Sequence, residues 1–124
     1  MPATRSFLVL LLAQFLLLGA AAAGDAANGE KVFAKCRACH SVEPGGRNQQ
    51  GPNLHGVVGR PAGKAAGFNY SKVLLQSGVV WTEDKLDAYL ADPKGMLPGN
   101  RMLFIGLKQA KERSDVIAYL KQTK

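Results

Sequence analysis

Two thiols and an imidazole share one five-residue run, Cys36-Arg37-Ala38-Cys39-His40. Thiols three positions apart lie on adjacent turns at a helix end, within reach of the two vinyl groups of one porphyrin. A histidine directly after them lies under the iron and can supply an axial nitrogen. Cys-x-x-Cys-His is therefore the attachment sequence of a c-type haem. Two other chemistries use the same pair. A thioredoxin-like redox motif expects a βαβ pattern, which the chain lacks. A zinc site needs a second Cys/His pair, and the chain has only these two cysteines. An iron held by His40 takes a sixth ligand, a water or nothing. His55, Met96 and Met102 are the candidates. Both methionines sit in a stretch punctuated by Gly and Pro, where a flexible apolar side chain has little reason to be. A thioether is a soft ligand for low-valent iron. Spacing alone does not choose between the two.

The elements that must position these residues read as helices at both ends with a glycine-rich middle. Residues 25–38 form a first helix, with Ala27, Val32, Phe33 and Cys36 on one face. Between Pro44 and Gly67 stand seven glycines and three prolines. That density forbids regular structure, and a loop so long needs something to wrap around. Residues 71–76 make one or two helical turns. Thr82 then caps a helix whose first turn carries Glu83 and Asp84, and Pro93 stops it. A second loop covers 94–106. The last helix spans 108–122, with Val116, Ile117 and Leu120 on one face. No alternating strand pattern appears. The class is all-α.

At 124 residues the chain holds one domain. With 47% hydrophobic and 20% charged residues it is not a disordered chain. Its N-terminus is a separate matter. Arg5 precedes an apolar run from Phe7 to Ala23 that ends in four alanines, the pattern of a secretory signal peptide over residues 1–23. The domain is then 24–124, working outside the cytoplasm in the periplasm. The formal charge of +7 falls to +6 when Arg5 leaves with that segment, which still suits an acidic partner. Nucleic acid is excluded as a target, because no interleaved aromatic–basic motif is present.

Three runs together resemble a family: Cys36-Arg37-Ala38-Cys39-His40, Gly51-Pro52-Asn53-Leu54-His55-Gly56, and Pro98-Gly99-Asn100-Arg101-Met102-Leu103-Phe104. They are similar, in order and spacing, to the class I cytochromes c, the small soluble monohaem type of bacteria and mitochondria. The resemblance covers residues 26–124. It implies the cytochrome c fold, with crossing terminal helices and one covalent haem c wrapped by Gly/Pro-rich loops. It implies Cys36 and Cys39 as the attachment points and His40 and Met102 as the axial ligands. Met96 is then a packing residue and His55 a structural one. Pro52 matches the proline whose carbonyl holds His40. Arg60, Tyr70 and Trp81 match groups near the haem propionates, and Tyr89 an aromatic beside the methionine ligand. Gly29, Phe33 and Tyr119 match the helix crossing. Asn100 stands where Thr is common in the family, and Leu74 where a polar residue is common.

The function so implied is a soluble one-electron carrier and not an enzyme. A monomer of this type meets acidic docking patches on a quinol–cytochrome c oxidoreductase, a terminal oxidase, a photosynthetic reaction centre or a periplasmic dehydrogenase. Lys35, Lys94, Arg101, Lys108 and Lys111 are the candidate docking cations.

Overall fold

The computed structural model describes residues 24–124; the signal peptide expected over 1–23 lies outside them. Among the described residues five helices follow in order: α1 (Ala26–Phe33), α2 (Lys72–Gln76), α3 (Glu83–Ala91), α4 (Pro93–Met96) and α5 (Ala110–Lys121). Among the described residues the extended backbone amounts to one isolated bridge, Pro61 to Val80. The all-α expectation holds.

α1 starts at Asp25, whose carboxylate accepts from the amides of Ala27 and Asn28 at 3.0 and 3.2 Å and supplies the donorless acceptor a helix start needs. Its buried residues are Gly29, Val32 and Phe33, spaced i, i+3, i+4. Ala27, expected on that face, is exposed. The regular helix also ends five residues earlier than the apolar pattern suggests. Beyond Phe33 the chain tightens into turns, with Cys36 N on Phe33 O at 2.8 Å and both Cys39 N and His40 N on Cys36 O. A shared carbonyl of this kind bends the backbone, and the attachment run follows that bend.

α5 crosses α1 and buries Val116, Ile117 and Leu120, as its pattern requires. Gly29 is the crossing point. A Cβ there would run into the Asp115 carbonyl and lie 2.9 Å from Tyr119 Cβ, so only glycine admits this approach. Phe33 and Tyr119 pack beside it, ring centroids 5.4 Å apart. Phe33 is fully buried, and burying a side chain of that size contributes about 1.5–3 kcal/mol. A polar clamp lies next to this apolar contact. Buried Asp115 accepts from Lys111 Nζ at 2.7 Å, Asp25 N at 2.8 Å and Asn28 Nδ2 at 2.7 Å. The Lys111 bond first, then the Asp25 and Asn28 donors, hold its carboxyl down at about 2 against an ordinary 3.8.

Between these helices, α3 is capped by Thr82 Oγ1 accepting from Lys85 N. Pro93 ends α3 as expected but also opens α4, a turn not expected in the 94–106 stretch. Pro93 occupies the first position of that turn, where its missing N–H costs nothing, and Asp92 Oδ1 caps it through Gly95 N at 3.0 Å. The 44–67 loop is irregular as expected. It is pinned by Gly59 N to Trp81 O at 2.8 Å, Trp81 N to Arg60 O at 2.9 Å and Ala62 N to Val79 O at 2.7 Å. Arg113 Nε, 2.7 Å from Asp87 Oδ1, ties α5 to α3.

Two outcomes check the crossing. Gly29→Ala should destabilise the holoprotein by more than about 3 kcal/mol in guanidinium unfolding, because the collision is with backbone. For Asp115, whose carboxyl is held low in the fold, the stabilisation is present above about pH 4 and is lost as pH falls toward 2. Acid unfolding of Asp115→Asn should therefore be flatter across that window than wild type, and equal slopes would contradict the clamp.

Candidate functional site

A cavity of about 450 Å³ lies behind the α1–α5 crossing, a volume within the roughly 300–1,000 Å³ typical of cofactor sites. Its deep wall is apolar: Phe33, Leu54, Val57, Leu86, Val116 and Leu120. Cys36 and Cys39 also line it, as free thiols. Burial raises the Cys36 thiol to about 11, with Lys35 acting against it. That thiol stays protonated near neutral pH.

His40 enters from the end of the attachment run. Its Nδ1 lies 2.7 Å from the Pro52 carbonyl. A carbonyl only accepts, so Nδ1 carries the proton and Nε2 keeps its lone pair. Burial lowers the imidazole below its usual value, the Pro52 carbonyl partly offsetting this, so the ring is neutral at pH 7. Gly51 fixes the other side: a Cβ there would collide with the His40 ring, while Gly51 N donates to Cys39 O at 2.8 Å. Pro52 is held in turn. Asn48 Oδ1 accepts from Asn53 N, Asn48 Nδ2 donates to Ala66 O, and Asn53 Nδ2 donates to the Glu43 and Gly46 carbonyls, all between 2.8 and 2.9 Å. Sequence reading missed these two asparagines. Their signal was present, since Asn in a Gly/Pro-rich loop commonly bonds nearby backbone.

Of the three candidates for the far side, Met102 alone lines the cavity. Met96 packs into the core from α4. His55 stands off the cavity wall with Nδ1 3.2 Å from Val42 O. Met102 is positioned through Asn100, whose Oδ1 accepts from Met102 N at 2.9 Å. The Asn100 amide donates to the Pro93 and Leu97 carbonyls at 2.9 and 2.8 Å, not to the sulfur. Tyr89 Oη is 4.0 Å from Met102 Sδ and 3.4 Å from Asn100 Oδ1. Burial pushes this phenol up to about 12, so it remains a donor at every physiological pH. Trp81 packs on Tyr89 with centroids 4.9 Å apart.

Arg60, Tyr70 and Trp81 all line the cavity. Arg60 donates to the His55 and Asn53 carbonyls at 3.0 and 3.2 Å. Tyr70 Oη accepts from Ala65 N, leaving its own proton to donate. Leu74 lines the cavity where a polar side chain was common in the resembling family. The docking cations divide. Lys35 and Arg101 stand at the cavity, whereas Lys111 is committed to Asp115 near the α1 start.

A haem fits these residues: an apolar hollow whose lining holds two thiols, a neutral imidazole with a free lone pair, a thioether and the side-chain donors of Arg60, Tyr70 and Trp81. The comparisons agree. The family model for cytochrome c matches residues 26–124, and the chain belongs to that family. A cytochrome c of Chlamydomonas reinhardtii is 55% identical over 103 residues, 82% of this chain and 92% of the relative. A cytochrome c2 of Blastochloris viridis is 49% identical over 102 residues, covering 82% and 80%. In structure the chain is similar to cytochrome cH from Methylobacterium extorquens, with a TM-score of 0.76 and 49% identity over 80% of this chain and 99% of the other. The protein is a class I monohaem cytochrome c, and its cofactor is one covalent haem c.

The Gly51 contact yields a direct check. Gly51→Ala must displace either the His40 ring or the Gly51-Pro52 backbone. Guanidinium unfolding should show a loss of about 3 kcal/mol, and a change within about 0.5 kcal/mol would contradict the contact.

Proposed function

We propose that this protein is a soluble one-electron carrier whose haem is bonded to Cys36 and Cys39, with the iron ligated by His40 and Met102. The observation that carries this reading is convergence on one cavity. Both thiols, an imidazole whose Nδ1 is fixed on a carbonyl at 2.7 Å, and one methionine from 62 positions further along the chain all line it. Bound there, the haem supplies the redox chemistry, taking up and releasing a single electron at iron.

The chain's own residues set the conditions. The Pro52 carbonyl holds the His40 tautomer and raises the basicity of Nε2. Asn100 holds the backbone of Met102, so the thioether is presented by a fixed loop. Apolar walls exclude water and favour the less charged iron centre, as does a sulfur ligand. Arg60, Tyr70 and Trp81 supply donors for the propionates, which would otherwise cost several kcal/mol to bury. No residue of the cavity is required as acid, base or nucleophile, which supports a carrier over an enzyme. An oxygen-activating haem enzyme needs an open iron position, and Met102 with Phe104 and Tyr89 beside it speaks against one.

Residues 1–23 serve as an export signal and 24–124 as the periplasmic domain. The start of α1 supports that boundary: Gly24 lies against the Ser114 carbonyl with no room for a side chain, and Asp25 caps the helix. The partners are acidic faces on a membrane quinol–cytochrome c oxidoreductase, a terminal oxidase, a reaction centre or a periplasmic dehydrogenase, met as a monomer through Lys35, Lys94, Arg101 and Lys108.

Ligand exchange tests the closed iron site. Cyanide added to the oxidised holoprotein at pH 7 should bind slowly, and at least about tenfold faster in Met102→Ala, because the open state of the wild type is a minor population. Equal rates would contradict methionine ligation.

A further inference from the structure

Between α4 and α5 the chain runs from Leu97 to Gln109 without regular structure, and it carries Met102. Asn100 holds its entrance, bonded to Met102 N and to the Pro93 and Leu97 carbonyls. A different residue holds its exit. Arg113 of α5 donates through Nη1 to the Leu107 and Lys108 carbonyls at 2.9 and 3.1 Å. Its Nε donates to Asp87 Oδ1 of α3 at 2.7 Å, and the arginine side chain is only 14% exposed. One planar guanidinium thus joins α5, α3 and the exit of the segment. That exit also lies against the end of α3. Buried Leu107 donates its amide to Leu90 O at 2.7 Å. Gly106, with φ at +114°, sits where a Cβ would collide with the Ala91 carbonyl. Lys108 Nζ, 3.3 Å from the Ala91 and Ile105 carbonyls, adds longer and exposed bonds. Asp87 stands one turn before Leu90 and Ala91 on the same helix. Between the two anchors Leu103 and Ile105 are exposed and pack on little.

We infer that Arg113, aimed by Asp87, is a positioning residue for the axial methionine. It pins the exit of the segment and so limits how often the Met102 sulfur leaves the iron. This rests on the carrier reading with its methionine ligand, and adds what governs release of that ligand. Met102 lies five positions before Leu107, and no bond of Asn100 reaches past Met102. With the exit freed, residues 103–108 can lift, and the thioether moves with them. Arginine suits the task and lysine does not, because the guanidinium fork serves a carboxylate and two carbonyls at once. A simple tie between helices does not account for the arrangement. Lys121 already links α5 to Glu83 of α3 at 3.2 Å, both side chains being about half exposed. That pair is screened by water, and the bonds given for it stop at the two helices. The Asp87–Arg113 pair is better shielded and passes its order on to two loop carbonyls.

Cyanide binding to the oxidised holoprotein at pH 7 reads how often the sulfur leaves the iron. Asp87→Ala keeps Arg113 but removes what aims it, and should bind cyanide about fivefold faster than wild type, equivalent to about 1 kcal/mol. Lys121→Gln breaks the other α3–α5 ion pair and should stay within about twofold of wild type. Hydrogen exchange at the Leu107 amide should quicken in Asp87→Ala and not in Lys121→Gln. A cyanide rate in Asp87→Ala equal to wild type overturns the proposal. An equal rise in both variants also overturns it, since the pair then acts only through overall stability. Met102→Ala separates the proposal from the reading beneath it. Faster binding in Met102→Ala beside an unchanged Asp87→Ala leaves methionine ligation standing and removes the positioning role. Binding in Met102→Ala no faster than in wild type overturns the ligation itself, and the proposal with it.

Discussion

An apolar hollow of about 450 Å³ at the centre of so small a domain dictates the rest of the architecture. Left empty, it would hold apolar side chains such as Phe33, Leu54 and Val57 out of packed contact on one side. The fold is therefore a wall around an occupant. Phe33, Val116 and Leu120 belong at once to the core and to the cavity lining. The helix crossing and the cofactor site are thus one packing problem, and Gly29 and Gly51 solve it at two points by admitting backbone where a methyl would collide.

The same economy runs through the polar groups. Bonds from Asn48 and Asn53 hold the backbone around Pro52, whose carbonyl fixes the tautomer of His40. Asn100 does the equivalent for Met102. His40 and Met102 are therefore each set by hydrogen bonds from residues in the irregular loops around them. Rigidity matters to a carrier, because a site that barely moves between two charge states exchanges electrons with little rearrangement.

What the amino-acid sequence made legible was the chemistry with short-range spacing. Cys36, Cys39 and His40 are readable from five residues, and the buried face of α5 from its period. Met102 needed more, since it and Met96 lie in similar surroundings and only the resemblance separated them. The structure adds the physical difference: Met96 turns into the core from a one-turn helix that Pro93 initiates. That helix was hidden because proline was read only as a stop. α1 was overextended for a related reason, because apolar periodicity continues past Phe33 while the carbonyl of Cys36 already bends the chain. Lys111 looked like any surface charge. Its partner Asp115 is four residues on, but nothing in a linear pattern reveals that Asp25 and Asn28 converge on the same carboxylate.

X-ray absorption at the iron edge of the purified oxidised protein tests the whole account most directly. One sulfur and five nitrogen neighbours are expected, with the sulfur absent in Met102→Ala and present in Met96→Ala. A first shell without sulfur in the wild type, or one that survives the loss of Met102, would contradict it.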